Sequence, residues 1–288
     1  MARRCWHSRI ARHRTSGHND DIVEKLLFNA LLVGLLLAIA MESIWPRYVW
    51  TRRARALHIG RNASLWLFAA WIVSVLSPVM FSPMIKYFSE NRWGLLPAMN
   101  APVWIAATVG FLAADLTDYL FHRLSHRWKW LWLLHSVHHS DRRLDASTTL
   151  RQHPLTLVLT LAVRALVIVA LGAPLWSLLL RDVLTIVNSH FHHAAVAWPP
   201  RVVAWTERYV SWLIVPPTAH WLHHDPRETY TNCNFGAVLS WWDRLFSTYV
   251  PGTRDVEGSG LGALNAYPWH TVRGMLTTPW RARNFRSL

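Results

Sequence analysis

Three short stretches gather imidazole at spacings that could hold metal. "HRLSH" sets His122 and His126 four residues apart. "HSVHH" sets His135, His138 and His139 at i, i+3 and i+4, and "HWLHH" repeats that pattern at His220, His223 and His224. On a helix these offsets share a face. Two imidazoles on one face chelate one ion, and a third reaches a second ion. Eight such ligands exceed the roughly four to six positions that one ion offers, so two metals are the economical solution. Of the 17 histidines, 12 lie between positions 122 and 224. One HxxHH is common without a metal; two of them plus HxxxH on one side of a membrane are not. His190 and His192 are weaker candidates, as is His153, where capping of a helix that starts at Pro154 competes with ligation. His7, His13, His18, His58 and His270 have no partner at chelating spacing and read as ordinary.

Imidazole suits Zn, Cu, Fe and Ni alike. A zinc hydrolase typically needs three protein ligands and a nearby carboxylate base. This set is richer in histidine and poorer in carboxylate. The adjoining segments are apolar, so a lipid is the expected substrate. Attack on an unactivated C–H bond requires O₂ activation by a redox metal, which argues for two irons. Zinc can replace them in purified protein, because its divalent affinity exceeds that of Fe(II).

The elements that must position these ligands are membrane helices. The chain has 288 residues, of which 52% are apolar and 16% charged, with 19 Trp and a net charge of +14. That charged fraction is well under the roughly 25% of soluble domains. Nucleic-acid binding is one reading of the positive charge. The arginines cluster beside apolar segments, as they do at cytoplasmic flanks of membrane spans, so no nucleic-acid partner is expected. Cys5 and Cys233, the only cysteines, offer no disulfide framework and no four-cysteine metal site.

Segments 24–44, 64–82, 102–121, 155–171 and 174–190 are the candidate crossings. The expected fold is all-α, with four to five spans or half-spans and a helical, histidine-rich, metal-binding cap on the cytoplasmic side. "GAP" at 172–174 breaks the last two into a hairpin. Arg164, Arg181 and Asp182 are costly inside a bilayer unless paired, which weakens these two as full crossings. A cleaved signal ending at "AIA" (38–40) is the alternative reading of the first segment. Loop 45–63 carries five arginines and loop 83–100 only Lys86 and Arg92, which places the first loop, and with it every histidine box, in the cytoplasm. The N-terminal arginines conflict with that orientation.

The pattern HxxxH, HxxHH, HxxHH resembles the fatty acid hydroxylase/sterol desaturase superfamily of membrane di-iron enzymes. So do "DLTDYLFHRLSH" (115–126), "RQHP" (151–154), "FHHA" (191–194), "NFGAVLSWWDRLFSTY" (234–249), "ESIWPR" (42–47) and "RRARALHIGRNASL" (52–65). The resemblance covers about residues 24–250, leaving 1–23 as a basic extension and 251–288 as a C-terminal tail. It implies spans topped by a cytoplasmic cap holding two irons, and it singles out His193 as a ninth ligand. Ala195 stands where the family often has Asn, and Ser247 where it usually has Gly.

Asp115 and Asp118 precede His122 by seven and four residues, on its helical face. They are expected to orient imidazoles, with pairing to Arg123 as the alternative. Asp243 is an outer anchor or a partner of Arg244. "RWKWLWLL" (127–134) reads as an interfacial belt. Trp205, Tyr209 and Trp212 form a stripe that suits a membrane-surface helix or an amphipathic core helix. The reading is an O₂-dependent lipid oxidase, hydroxylating first and desaturating second. A zinc-dependent lipid hydrolase and a metal-transporting or metal-storing membrane protein are the rivals. No flavin or nicotinamide fingerprint is present, so electrons are expected from a separate ferredoxin- or cytochrome-like protein and its reductase.

Overall fold

The computed structural model describes residues 25–283. The basic extension read over 1–23, with Cys5, His7, His13 and His18, lies outside the described residues. Among those residues the chain is helical, with no strand and two isolated bridges, Pro46 to Val196 and Ile214 to Leu239. In chain order come α1 (Lys25–Ile44), α2 (Arg52–Met80), α3 (Ser82–Glu90), α4 (Leu95–Ala98) and α5 (Val103–Arg127). They are followed by α6 (Lys129–His139), α7 (Pro154–Leu171), α8 (Leu175–His193), α9 (Pro200–Trp205) and α10 (Pro217–His223). The short α11 (Glu228–Thr231) and α12 (Trp241–Leu245) precede the last helix, α13 (Val272–Arg281).

Four of these, α1, α2, α5 and α7, are long and apolar enough to cross a membrane. These four fall within the four to five spans or half-spans expected; α8 is a helix that Arg181, Asp182 and three terminal histidines leave outside that set. The turn between α7 and α8 forms where expected. Gly172 takes φ +65°, the left-handed region open to glycine. A Cβ there would lie 2.3 Å from the Trp93 carbonyl oxygen. Both helices then pack chiefly on α5 rather than on one another.

The charges in α5, α7 and α8 are mutually compensated. Asp118 accepts from both Arg164 and Arg181, Arg181 also reaches Asp115 at 3.4 Å, and Arg164 reaches Asp182 at 3.3 Å. Arg181 and Asp115 are fully buried, so the pairing is what makes their burial tolerable. At the end of α1, buried Glu42 accepts from the backbone N–H groups of Ala146 (2.7 Å) and Ala195 (2.8 Å) and pairs with Arg55 (2.6 Å). One carboxylate thereby ties α1 and α2 to the loops on either side of α7 and α8.

The segment read as a tail contains α13, which packs on α2 and α6 and buries Met275 against Leu65 and Val137. Trp205, Tyr209 and Trp212 are exposed, so their stripe is a surface feature and not part of the core. Ser247 sits at φ +56°, a left-handed conformation that accounts for a family preference for glycine there.

Candidate metal centre

The last turns of α5 bring His122 and His126 to the base of the cap, α6 contributes His135, His138 and His139, α8 ends on His193, and α10 with its C-cap supplies His220, His223 and His224. These nine side chains converge in two groups. His122, His126, His135, His139 and His223 form one; His138, His193, His220 and His224 form the other. Within each group the ligand nitrogens all lie within 4.8 Å of one another. The adjacent pairs His138–His139 and His223–His224 are split, one ring to each group.

Outer hydrogen bonds to backbone carbonyls select the nitrogen that three of the rings present. His122 Nδ1 donates to the Phe235 carbonyl (2.9 Å), His223 Nδ1 to the Cys233 carbonyl (2.7 Å) and His193 Nδ1 to the Ser189 carbonyl (2.7 Å). A ring that donates from Nδ1 keeps a lone pair on Nε2. The Nε2 atoms of His122, His126 and His223 are buried and, among the described residues, have no hydrogen-bond partner. In the other group, His193 Nε2 stands 3.0 Å from His138 Nε2, 3.1 Å from His224 Nε2 and 3.2 Å from His220 Nε2. Converging lone pairs with no intervening donor repel each other; a shared cation is what this arrangement suits. Burial, reinforced by neighbouring imidazoles, holds His135, His138, His139, His220, His223 and His224 well below the usual histidine range. Burial likewise pushes His193 down to about 3. Neutral imidazole is the form that binds metal, so the two clusters can bind metal ions.

The carboxylates stand elsewhere. Asp115 and Asp118 hold Arg181 and Arg164, and Arg123 instead donates to the Tyr119 hydroxyl at 3.4 Å. The orienting role expected of these two aspartates is therefore not what their contacts show. Asp115 also accepts from the Leu239 N–H and the Trp242 indole, which fixes the segment after residue 234. Asp243 accepts from the Phe235 N–H (2.8 Å), the Gly236 N–H (2.8 Å) and the Thr248 hydroxyl (2.7 Å), so it anchors the loop that meets His122.

The weaker histidine candidates fall outside both groups. His153 caps α7 by accepting from the Leu155 N–H. His190 Nδ1 lies 3.1 Å from the Ala146 carbonyl. His192 contacts the Val215 carbonyl at 2.8 Å and stacks on His220 at 4.6 Å, supporting that clustered ring from behind. His58 and His270 are not partnerless: His58 pairs with Asp141 at 3.3 Å and His270 Nδ1 accepts from Arg151 at 3.1 Å. Their partners are 83 and 119 residues away, beyond any spacing rule. The backbone carbonyls of Ser189, Cys233 and Phe235 escaped sequence reasoning because side-chain identity carries no signal for them.

A cavity of about 250 Å³ opens beside both groups, with His122, His135, His138, His193 and His220 in its wall. Phe121, Leu157 and Ala237 give it apolar surface, and Thr156, Thr160 and Arg164 continue it along one face of α7.

Residues 107–248 match the family model described as fatty acid hydroxylase. Among curated proteins, the chain is 29% identical over 199 residues to alkylglycerol monooxygenase of Danio rerio, covering 67% of this chain and 42% of that protein. It is 25% identical over 205 residues to the Homo sapiens alkylglycerol monooxygenase, covering 69% and 43%. It is 28% identical over 185 residues to an ornithine lipid hydroxylase of Rhizobium tropici, covering 62% and 51%. The chain thus spans less than half the length of the alkylglycerol monooxygenases it matches. No solved structure matches it.

Proposed function

We propose, from the match of residues 107–248 to the fatty acid hydroxylase family model and the similarity to lipid hydroxylases, that this chain is a membrane-bound, di-iron, O₂-dependent lipid hydroxylase. The observation that carries the reading is the convergence of nine buried imidazoles in two groups beside a largely apolar cavity. His122, His126, His135, His139 and His223 would hold one iron, and His138, His193, His220 and His224 the other. Iron in such a site supplies O₂ activation and cleavage of an unactivated C–H bond. The chain's own part is positioning. Phe121, Leu157 and Ala237 bind and orient the alkyl chain. The carbonyls of Phe235, Cys233 and Ser189 hold the protons of His122, His223 and His193 on Nδ1. The buried surround excludes bulk water from the clusters.

The substrate class is a lipid with a long alkyl chain and a polar head. The relatives named for alkylglycerols and for an ornithine lipid support that class. Desaturation of the same carbon chain is the second reading. The all-imidazole donor sets, with every nearby aspartate engaged elsewhere, favour this reading over a zinc hydrolase. Ligands at helix ends rather than along a transmembrane path favour it over a metal transporter. The arginine-rich loop 45–63 supports a cytoplasmic position for the centre. A separate ferredoxin- or cytochrome-like carrier would deliver electrons to this basic side, steered by opposite charge.

Purified protein, loaded anaerobically with iron in lipid and given an alkylglycerol, a reductant and isotope-labelled O₂, tests the proposal. The product should gain one labelled oxygen atom, and metal analysis should approach two irons per chain. Label arriving from water, or saturation at one iron, would overturn it.

A further inference from the structure

A second cavity, of about 390 Å³, shares no lining residue with the first. Its wall is basic. Arg61, Arg142 and Arg143 line it, and among the described residues none of them has a carboxylate within salt-bridge distance. Arg61 leans on the Tyr267 ring at 5.2 Å, Arg143 on Trp50 at 5.1 Å, and Arg142 makes one long contact, 3.4 Å, to the Asn265 carbonyl. These contacts fix the guanidinium planes and leave most N–H donors uncommitted. The one carboxylate in the wall, Asp141, is committed: its Oδ2 accepts from Thr148 and pairs with His58, and its Oδ1 accepts from the Arg143 N–H.

His270 adds a donor whose state the geometry settles. Buried Arg151 has only donors, so the 3.1 Å contact from its Nη2 makes His270 Nδ1 the acceptor. The ring proton then resides on Nε2. Among the described residues that atom has no hydrogen-bond partner, and it lies buried behind the cavity surface. A cavity wall with three unneutralised guanidiniums lacks an acceptor with several oxygens and negative charge.

We propose that this cavity binds a phosphate group. Its place favours the phosphate of a lipid head. Arg61 lies near the start of spanning helix α2, after Arg52, Arg53 and Arg55, and Trp50 stands just ahead of them, which is where head groups meet a span. A concave pocket lined by guanidiniums suits a small oxyanion better than the convex acidic surface of a protein. The site has a direct connection to the metal centre, since Arg151 also donates to the Val137 carbonyl (2.7 Å) and the Ser140 hydroxyl (2.9 Å) at the end of α6.

The test uses the full-length protein in phosphatidylcholine nanodiscs with or without phosphatidic acid, and separately in detergent with inorganic phosphate. Native mass spectrometry should show one phosphatidic acid retained per chain. The Arg61→Gln/Arg142→Gln protein should bind it at least about tenfold more weakly, the loss expected from a charge-assisted hydrogen bond. His270→Phe should weaken it similarly while keeping its metal. Arg201→Gln/Arg208→Gln removes the same charge from exposed positions elsewhere and should bind as wild type. Saturable binding of inorganic phosphate at the same residues would assign the phosphate to a soluble source; retention of the lipid alone would assign it to a head group. Equal weakening in both double variants would reduce the effect to net charge and overturn the proposal. So would binding of polyglutamate with neither phosphate source retained.

Discussion

Asp243 never touches His122, yet it decides which nitrogen of that ring faces the other histidines of its group. Its carboxylate holds the Phe235 and Gly236 N–H groups at 2.8 Å each, and the Phe235 carbonyl takes the His122 Nδ1 proton at 2.9 Å. Removing the carboxylate frees the loop and with it the tautomer. Asp243→Ala should lower metal affinity by roughly 10- to 100-fold. Titration of bound metal measures this, and wild-type affinity would contradict the relay.

The two groups share neighbouring residues but no ligand, so they should be separable by number. His126→Ala and His220→Ala should each lose turnover and fall from two metals per chain to one. Elemental analysis of both proteins after saturation decides it. Two metals retained in either protein would remove that histidine from the ligand set.

Arg181 neutralises Asp118 and reaches buried Asp115. Arg181→Met should destabilise by about 3–5 kcal/mol, because it strands buried negative charge. The double change Arg181→Met/Asp115→Asn should recover part of that loss. Chemical unfolding in detergent reports both values, and a neutral single variant would show the network to be dispensable.

Metal-free protein should lose stability as pH falls. The clustered imidazoles have folded-state pKa values depressed below the unfolded value near 6.5, so below that pH the unfolded chain binds more protons and gains on the folded one. For His193, at about 3 when folded, the loss at roughly pH 5 is on the order of 2 kcal/mol. Melting temperatures of metal-free protein across pH 8 to 5 should drop. A flat profile would mean that the rings are already protonated or exposed.

The two histidine groups were legible in the sequence because helical spacing turns directly into shared faces. HxxxH and the two HxxHH boxes contain eight of the nine clustered residues, and the resemblance supplied His193. The spans were legible for the same kind of reason, since twenty apolar residues carry their own signal. What the sequence hid is what lies between elements. Asp115 and Asp118 precede His122 at helical spacing, but their charges are answered by Arg181 and Arg164 on other helices, and no local rule names such partners. α8 looked like a crossing by its apolar run, while its place against α5, with His193 carried into the histidine cluster, depends on the ion pairs it makes there. His58 and His270 looked idle for want of near neighbours, and both are bound to residues far along the chain.

The division of adjacent histidines between the groups has a consequence for biosynthesis. One group waits for His223 and the other for His220 and His224, nearly a hundred residues after His122. Neither cluster is complete until synthesis has passed α7 and α8 and reached α10. Newly made chains must therefore carry open, mutually repelling imidazoles until α10 arrives, and cells short of metal should accumulate a membrane-inserted form whose cap remains vulnerable to proteases.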